Sequence, residues 1–191
     1  VATALFRSRG YHGTPVRALA SNLKMEAGSL YYHFPSKQQL LFDGFEQTMD
    51  ELLAGLRDAV ERESTAPRRL CAAVRFHVRY HTEHQSEAFV SHTEIRALTG
   101  RNRAAILEKR DEYEAMFRAL IDAGVATGEF DVPDTGLTNI AILTMCSGVA
   151  DWFSPKGRLD GAAVADRYAE LVLRMVRYSG AAGRARGTRA R

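Results

Sequence analysis

The chain has 191 residues, 46% hydrophobic and 26% charged, which describes a globular protein with enough length for a sizeable core and excludes a disordered or fibrous class. Its apolar runs are short and broken by charge, so neither a transmembrane helix nor a secretory leader is expected, and the cytoplasm is the expected location. Net charge is +3 but uneven: residues 1–40 carry five basic side chains and one acid (+4), residues 177–191 five arginines and no acid (+5), leaving −6 for the 136 residues between. An acidic body with basic ends is the asymmetry of a protein that meets a polyanion at one end. Cys71 and Cys146 lie far apart with no C-x-x-C spacing, so both read as small buried hydrophobes, with no zinc site or disulfide framework.

Apolar residues recur at intervals of three and four, Pro and Gly fall mainly at breaks, and no alternating β-branched run occurs, so the fold class is all-α. The first helix covers roughly residues 1–9 and stops at Gly10; with Val1, Leu5 and Phe6 already in phase, it reads as clipped by a turn or more upstream. Thr14 is placed to cap a second helix with Pro15 at its first position, running to about Asn22. Leu23-Lys24-Met25 makes the turn, and a third helix spans about Glu26 to His33 before Pro35. Ser36-Lys37-Gln38-Gln39 fits a capping box, with Ser36 as cap and Gln39 reaching back, at the head of a fourth helix to about Arg62. Further helices are expected over residues 67–84, 86–98, 101–127, 134–153 and 160–179, bounded by Gly100, Gly128, Pro133-Asp134, Pro155, Gly157 and Asp160. Residues 180–191 hold no apolar side chain larger than alanine and are expected to be disordered.

Two short helices joined by a three-residue turn fit the helix-turn-helix pattern, whose second helix enters the major groove of DNA. Around it, Leu5-Phe6, Gly10-Tyr11, Thr14-Pro15-Val16, Ala18-Leu19-Ala20, Gly28-Ser29-Leu30-Tyr31-Tyr32-His33-Phe34 and Ser36-Lys37-x-x-Leu40 resemble the tetracycline-repressor (TetR) family of bacterial transcriptional regulators, in detail over residues 6–45. In this setting Ala27, Gly28 and Ser29 are small enough to let the helix approach base edges, and Ser29 can donate or accept a hydrogen bond. Tyr31, Tyr32 and His33 are candidates for phosphate contacts, which position without reading sequence. Lys37, at the head of a helix whose free N–H groups also favour phosphate, joins them, as do Thr14 and Arg17. Leu30, Phe34 and Tyr11 are expected in the core. The family usually has glycine where this chain has Lys24, so that residue is either forced toward positive φ or sits in a slightly different turn.

In this family the remaining helices form a ligand pocket and a dimer interface. Arg110-Asp111-Glu112-Tyr113-Glu114-x-x-Phe117, Gly124-x-x-x-Gly128-Glu129-Phe130 and Asp151-Trp152-Phe153-x-Pro155-x-Gly157 resemble the subgroup that senses acyl-coenzyme A thioesters, which implies a small hydrophobic effector of that class. Phe76, Tyr80, Phe89, Tyr113, Phe117 and Met145 are then candidates for the pocket wall, and Arg96, Arg103 and Arg110 for phosphates at its mouth. The same residues also describe a plain helical core with solvated arginines. Leu143, Val149, Trp152, Phe153, Tyr168, Leu171, Val172 and Met175 recur at helical spacing in the last two helices, and the resemblance makes them a two-fold four-helix interface. A homodimer also follows from the need to reach two half-sites about one DNA turn apart. The resemblance divides the chain into a helix-turn-helix domain at residues 1–45, a ligand-binding and dimerisation domain at 46–179, and an Arg-rich tail at 180–191.

His77, His81 and His84 fall at i, i+4 and i+7, a spacing that permits a metal site but is common on solvated or partly packed helix faces, which is the reading adopted. No Gly-rich phosphate loop, nucleophile elbow or H-E-x-x-H occurs, and no nucleophile and base stand at credible spacing. The sequence therefore points to a ligand-responsive repressor of double-stranded operator DNA, with no enzyme activity, cofactor, metal or membrane partner. The alternative is an all-helical small-molecule binding protein that does not bind DNA.

Overall fold

Helical periodicity is realised across the described residues. The computed structural model describes residues 2–177, among which no strand occurs, as the all-α reading expects; the predicted disorder of 180–191 lies outside the described residues. The elements are α1 (Ala2–Arg9), α2 (Val16–Asn22), α3 (Ala27–His33), α4 (Lys37–Glu61), α5 (Ala66–Glu83), α6 (Gln85–Thr93), α7 (Gly100–Ala126), α8 (Thr135–Ser147), the short α9 (Val149–Trp152) and α10 (Gly161–Met175), with a 3₁₀ turn at Ile95–Ala97.

Local chemistry explains most of the ends. α1 stops where Gly10, at φ 71°, donates its N–H to the Phe6 carbonyl at 2.8 Å. α7 closes in a Schellman turn: Glu129 N–H reaches the Gly124 carbonyl (2.8 Å), Gly128 N–H reaches that of Val125 (3.0 Å), and Gly128 takes φ 69°. Asp134 and Asp160 cap α8 and α10, accepting from the N–H groups of Leu137 (2.9 Å) and Ala163 (2.8 Å). Ser36 caps α4 by accepting from Gln39 N–H at 3.0 Å, but the Gln39 amide turns forward to Asp43 (2.6 Å), so only half of the expected capping box forms.

Two predicted helices are broken. The segment 86–98 leaves α-geometry after Thr93, where β-branched Thr93 and Ile95 are weak helix formers and the Ala97 carbonyl accepts from the Gln38 side chain at 2.6 Å. The segment 134–153 breaks at Gly148, between α8 and α9.

The chain gathers into two compact units: Val1–Leu53 with His84–Asp111, and Ala54–Glu83 with the chain from Glu112 onward. This division runs through α4 and α7. In the first unit the buried core includes Phe6, Leu19, Leu30, Phe45, Leu98 and Ile106; in the second, Leu70, Val74, Phe117, Ile121, Ile142 and Val172. Each such side chain stabilises the fold by about 1.5–3 kcal/mol. Within the second unit α5 packs along α10 and also against α8 and α9. Cys146 is buried there, its thiol pushed up to about 12 by burial, whereas Cys71 is only half-buried, against expectation.

Candidate nucleic-acid interface

The predicted helix-turn-helix is α2, the turn and α3. Its turn is a second Schellman closure: Met25 N–H reaches the Ala20 carbonyl (2.9 Å) and Lys24 N–H that of Ser21 (3.1 Å). Lys24 thereby takes the left-handed position at φ 56°, which decides between the two expectations for this residue. The back of α3 is anchored by Leu30, buried with Leu19 and Ala20 of α2. Its opposite side presents Gly28, Ser29, Tyr31 and Tyr32, with Tyr32 87% exposed. A Cβ added at Gly28 would meet nothing within 4 Å, so the amino end of α3 is an open, shallow surface. Arg17 on α2 is exposed as well. Ala27 and His33 bound α3, but their side chains lie outside the described set.

Two candidates are placed differently from expectation. Thr14 is 0% exposed; its hydroxyl donates backward to the Gly10 carbonyl at 2.7 Å, and Pro15, not Thr14, stands at the cap position of α2. It therefore neither caps α2 nor offers a side chain to phosphate. Lys37 is half-buried: its ammonium donates to the Tyr11 carbonyl and lies 4.2 Å from the centre of the Tyr11 ring. Burial lowers its pKa against the opposing pull of Glu94. Tyr11 is buried as expected, its ring 5.6 Å from that of Phe6 and its hydroxyl accepting from Gln38 at 3.0 Å. These bonds fix the α1–α2 loop to the amino end of α4 and so hold α2 and α3 in place.

The expected effector residues divide between the units. Phe89, Arg96, Arg103 and Arg110 fall in the first. There the Arg7 guanidinium lies 5.1 Å from the centre of the Phe89 ring, Arg110 donates to the Ser91 carbonyl and has its pKa lowered by burial, and Arg96 and Arg103 are exposed. A cavity of 340 Å³ in this unit is lined by Asp43, Glu51 and Glu87 among its polar groups, a charge unsuited to polyphosphate. Phe76, Tyr80, Tyr113, Phe117 and Met145 belong to the second unit. Tyr113 and Phe117 are buried with ring centres 5.4 Å apart, Phe76 and Tyr80 pair at 6.1 Å, and Met145 is half-buried.

Sequence reasoning missed the polar centre of this second cluster. His77 is buried, with Nδ1 3.0 Å from the Tyr113 hydroxyl and Nε2 3.1 Å from the Ser147 hydroxyl. His81 stacks on it at 4.0 Å and its Nδ1 lies 2.8 Å from the His77 carbonyl. These two histidines are thus interior groups and not a solvated face, while His84 belongs to the first unit.

Of the expected dimer residues, Val149 and Val172 are buried inside their own unit and unavailable to a partner. Trp152, Leu171 and Met175 are exposed, Tyr168 and Phe153 half-buried, and the Trp152 and Tyr168 rings stack at 6.5 Å. Leu137 and Ile140, one turn apart on α8, are 65% and 53% exposed and were not foreseen. An α8 that is apolar on all sides was the available signal.

No helix among the described residues is long and apolar enough to cross a membrane. Residues 1–43 match the family model of bacterial regulatory proteins of the tetR family, and residues 63–176 that of the tetracyclin repressor-like C-terminal domain. The HTH-type transcriptional repressor KstR2 of Mycobacterium tuberculosis is 26% identical over 91% of this chain and 88% of its own. A tetR-family regulatory protein from Rhodococcus RHA1 superposes with a TM-score of 0.85 at 31% identity, covering 92% of each chain. AibR, solved in complex with isovaleryl coenzyme A and operator DNA, superposes with a TM-score of 0.81 at 27% identity over 89% of this chain and 92% of its own. The chain belongs to the tetR family of bacterial regulatory proteins.

Proposed function

We propose that this protein is a homodimeric repressor that binds operator DNA through α3 and is released from it by an acyl-coenzyme A thioester. The observation that carries the reading is the two-sidedness of α3: Leu30 is locked into the core while Gly28, Ser29, Tyr31 and Tyr32 face outward. Small residues at its amino end suit close approach to base edges, and the tyrosine hydroxyls suit phosphates. Lys37 keeps a role, because an ammonium bound to the Tyr11 carbonyl still has donors for a phosphate oxygen. KstR2 is a repressor, and AibR binds both operator DNA and an acyl-CoA. Work on an operator puts the protein in the bacterial cytoplasm.

For the effector, the second unit supplies the wall residues Tyr80, Tyr113 and Phe117 around His77 and Ser147. Buried polar groups among aromatics give a thioester carbonyl a hydrogen-bonding partner within an apolar lining. Since α4 and α7 each have residues in both units, a ligand that favours one arrangement of the second unit can bias the first along continuous helices.

An electrophoretic mobility shift with the DNA flanking the protein's own gene tests the reading. Retardation, reversed by an acyl-CoA but not by the free acid or coenzyme A alone, is the expected result. Binding of thioester without retardation of that DNA would instead establish the small-molecule binding alternative.

A further inference from the structure

We propose that the turn between α6 and α7 is a second DNA-contacting surface, on which Arg96, Arg101 and Arg103 hold the phosphate backbone beside the helix-turn-helix. This rests on the DNA-binding reading above. The first observation is where the turn lies within the first unit. Its apex is tied to the amino end of α4 and the α1–α2 loop: Gln38 donates from one amide to the Ala97 carbonyl (2.6 Å) and the Tyr11 hydroxyl (3.0 Å), and the Glu94 carboxylate lies 3.4 Å from where a Cβ on Gly10 would stand. Residues of the two helices away from this apex contact α4 farther along and α1 near its start. Lys109 of α7 pairs with Glu46 and Asp50, and Glu87 of α6 accepts from Thr3 at 2.7 Å. The apex therefore sits at the end of the unit where Lys37 opens α4.

The second observation is charge. Residues 95–107 contain three arginines and no acid. Arg96, Arg101 and Arg103 are all exposed, and none forms an ion pair among the described residues. In the second unit, by contrast, Arg57, Arg62, Arg75 and Arg118 each face a carboxylate. Arg101 and Arg103 also stand in the first turn of α7, which holds no acid, where cations oppose the helix dipole. A phosphate backbone supplies the missing counter-charge, and the planar guanidinium suits phosphate oxygens.

The test compares wild type, Arg96→Gln and the triple variant Arg96→Gln/Arg101→Gln/Arg103→Gln on an operator duplex with long flanks and on one trimmed to the helix-turn-helix footprint, across a salt series. Circular dichroism checks that the variants fold, and Arg96→Gln lies outside α7 should the triple change disturb that helix. On the flanked duplex, the triple variant is expected to bind roughly tenfold or more weakly, with a salt slope shallower by about 0.9 for each phosphate left without its arginine. The ratio of cognate to scrambled binding should stay unchanged, and trimming the flanks should abolish the difference from wild type. Unchanged affinity and slope in folded variants, while wild type binds its operator, would overturn the proposal and leave the repressor reading intact. So would variants that bind DNA normally but lose their thermal shift with acyl-coenzyme A. Failure of wild type itself to bind operator would overturn the repressor reading.

Discussion

At the residue scale, Thr14 and Tyr32 show how similar sequence expectations separate once burial is known. Both are candidates for phosphate contact, yet one is 0% and the other 87% exposed. Thr14→Val removes the hydroxyl that serves the Gly10 carbonyl, so it should cost about 1–3 kcal/mol of stability, read as a lower melting temperature, and leave the salt slope of DNA binding unchanged. Tyr32→Ala should leave stability within about 0.5 kcal/mol while weakening operator binding, as a paired thermal melt and mobility-shift titration would show. The sequence made Thr14 legible as a residue that bonds nearby main chain, but not the direction of that bond, because threonine serves a cap ahead or a carbonyl behind with the same atoms. His77 was less legible still. Its partners Tyr113 and Ser147 lie 36 and 70 residues away, and without them a histidine at helical spacing reads as part of a solvated or partly packed face.

At the element scale, boundaries set by local chemistry were readable: Gly10 and Gly128 end helices by taking positive φ, and Asp134 and Asp160 begin them by accepting from free N–H groups. The breaks after Thr93 and at Gly148 were not, the first because its competing hydrogen bond comes from Gln38, 59 residues distant from Ala97. The turn between α2 and α3 shows both effects, since its place was legible and its strain depended on whether Lys24 accepted a left-handed conformation. At φ 56° a lysine bears a steric cost that glycine does not. Lys24→Gly should therefore stabilise the fold by about 0.5–1 kcal/mol net of the extra chain entropy of glycine. Thermal denaturation measures it; a lower melting temperature would mean that this turn is not strained by its side chain.

At the scale of the whole molecule, a repressor of paired half-sites needs a partner, and the second unit has a surface to meet one. Leu137 and Ile140 of α8, with Trp152, Leu171 and Met175, are large apolar side chains left exposed on elements that pack against one another, while Ile142, Cys146 and Val172 of α8 and α10 fill the core beneath. This explains why the helical spacing mixed the two sets: α8 and α10 each have one apolar face for the chain itself and one left over, and periodicity alone cannot assign Val172 to the first and Leu171 to the second. Because the outer face bears little on the fold of one chain, aspartate there should separate dimerisation from folding. Leu137→Asp combined with Ile140→Asp is expected to keep the helical circular-dichroism spectrum and to sediment as a monomer at micromolar concentration. A monomer places one recognition helix where two half-sites require a pair, so operator affinity should fall roughly hundredfold or more toward the non-specific level. If the double variant still sediments as a dimer, the two-fold contact lies on another face, and the exposed residues of α8 must be explained otherwise.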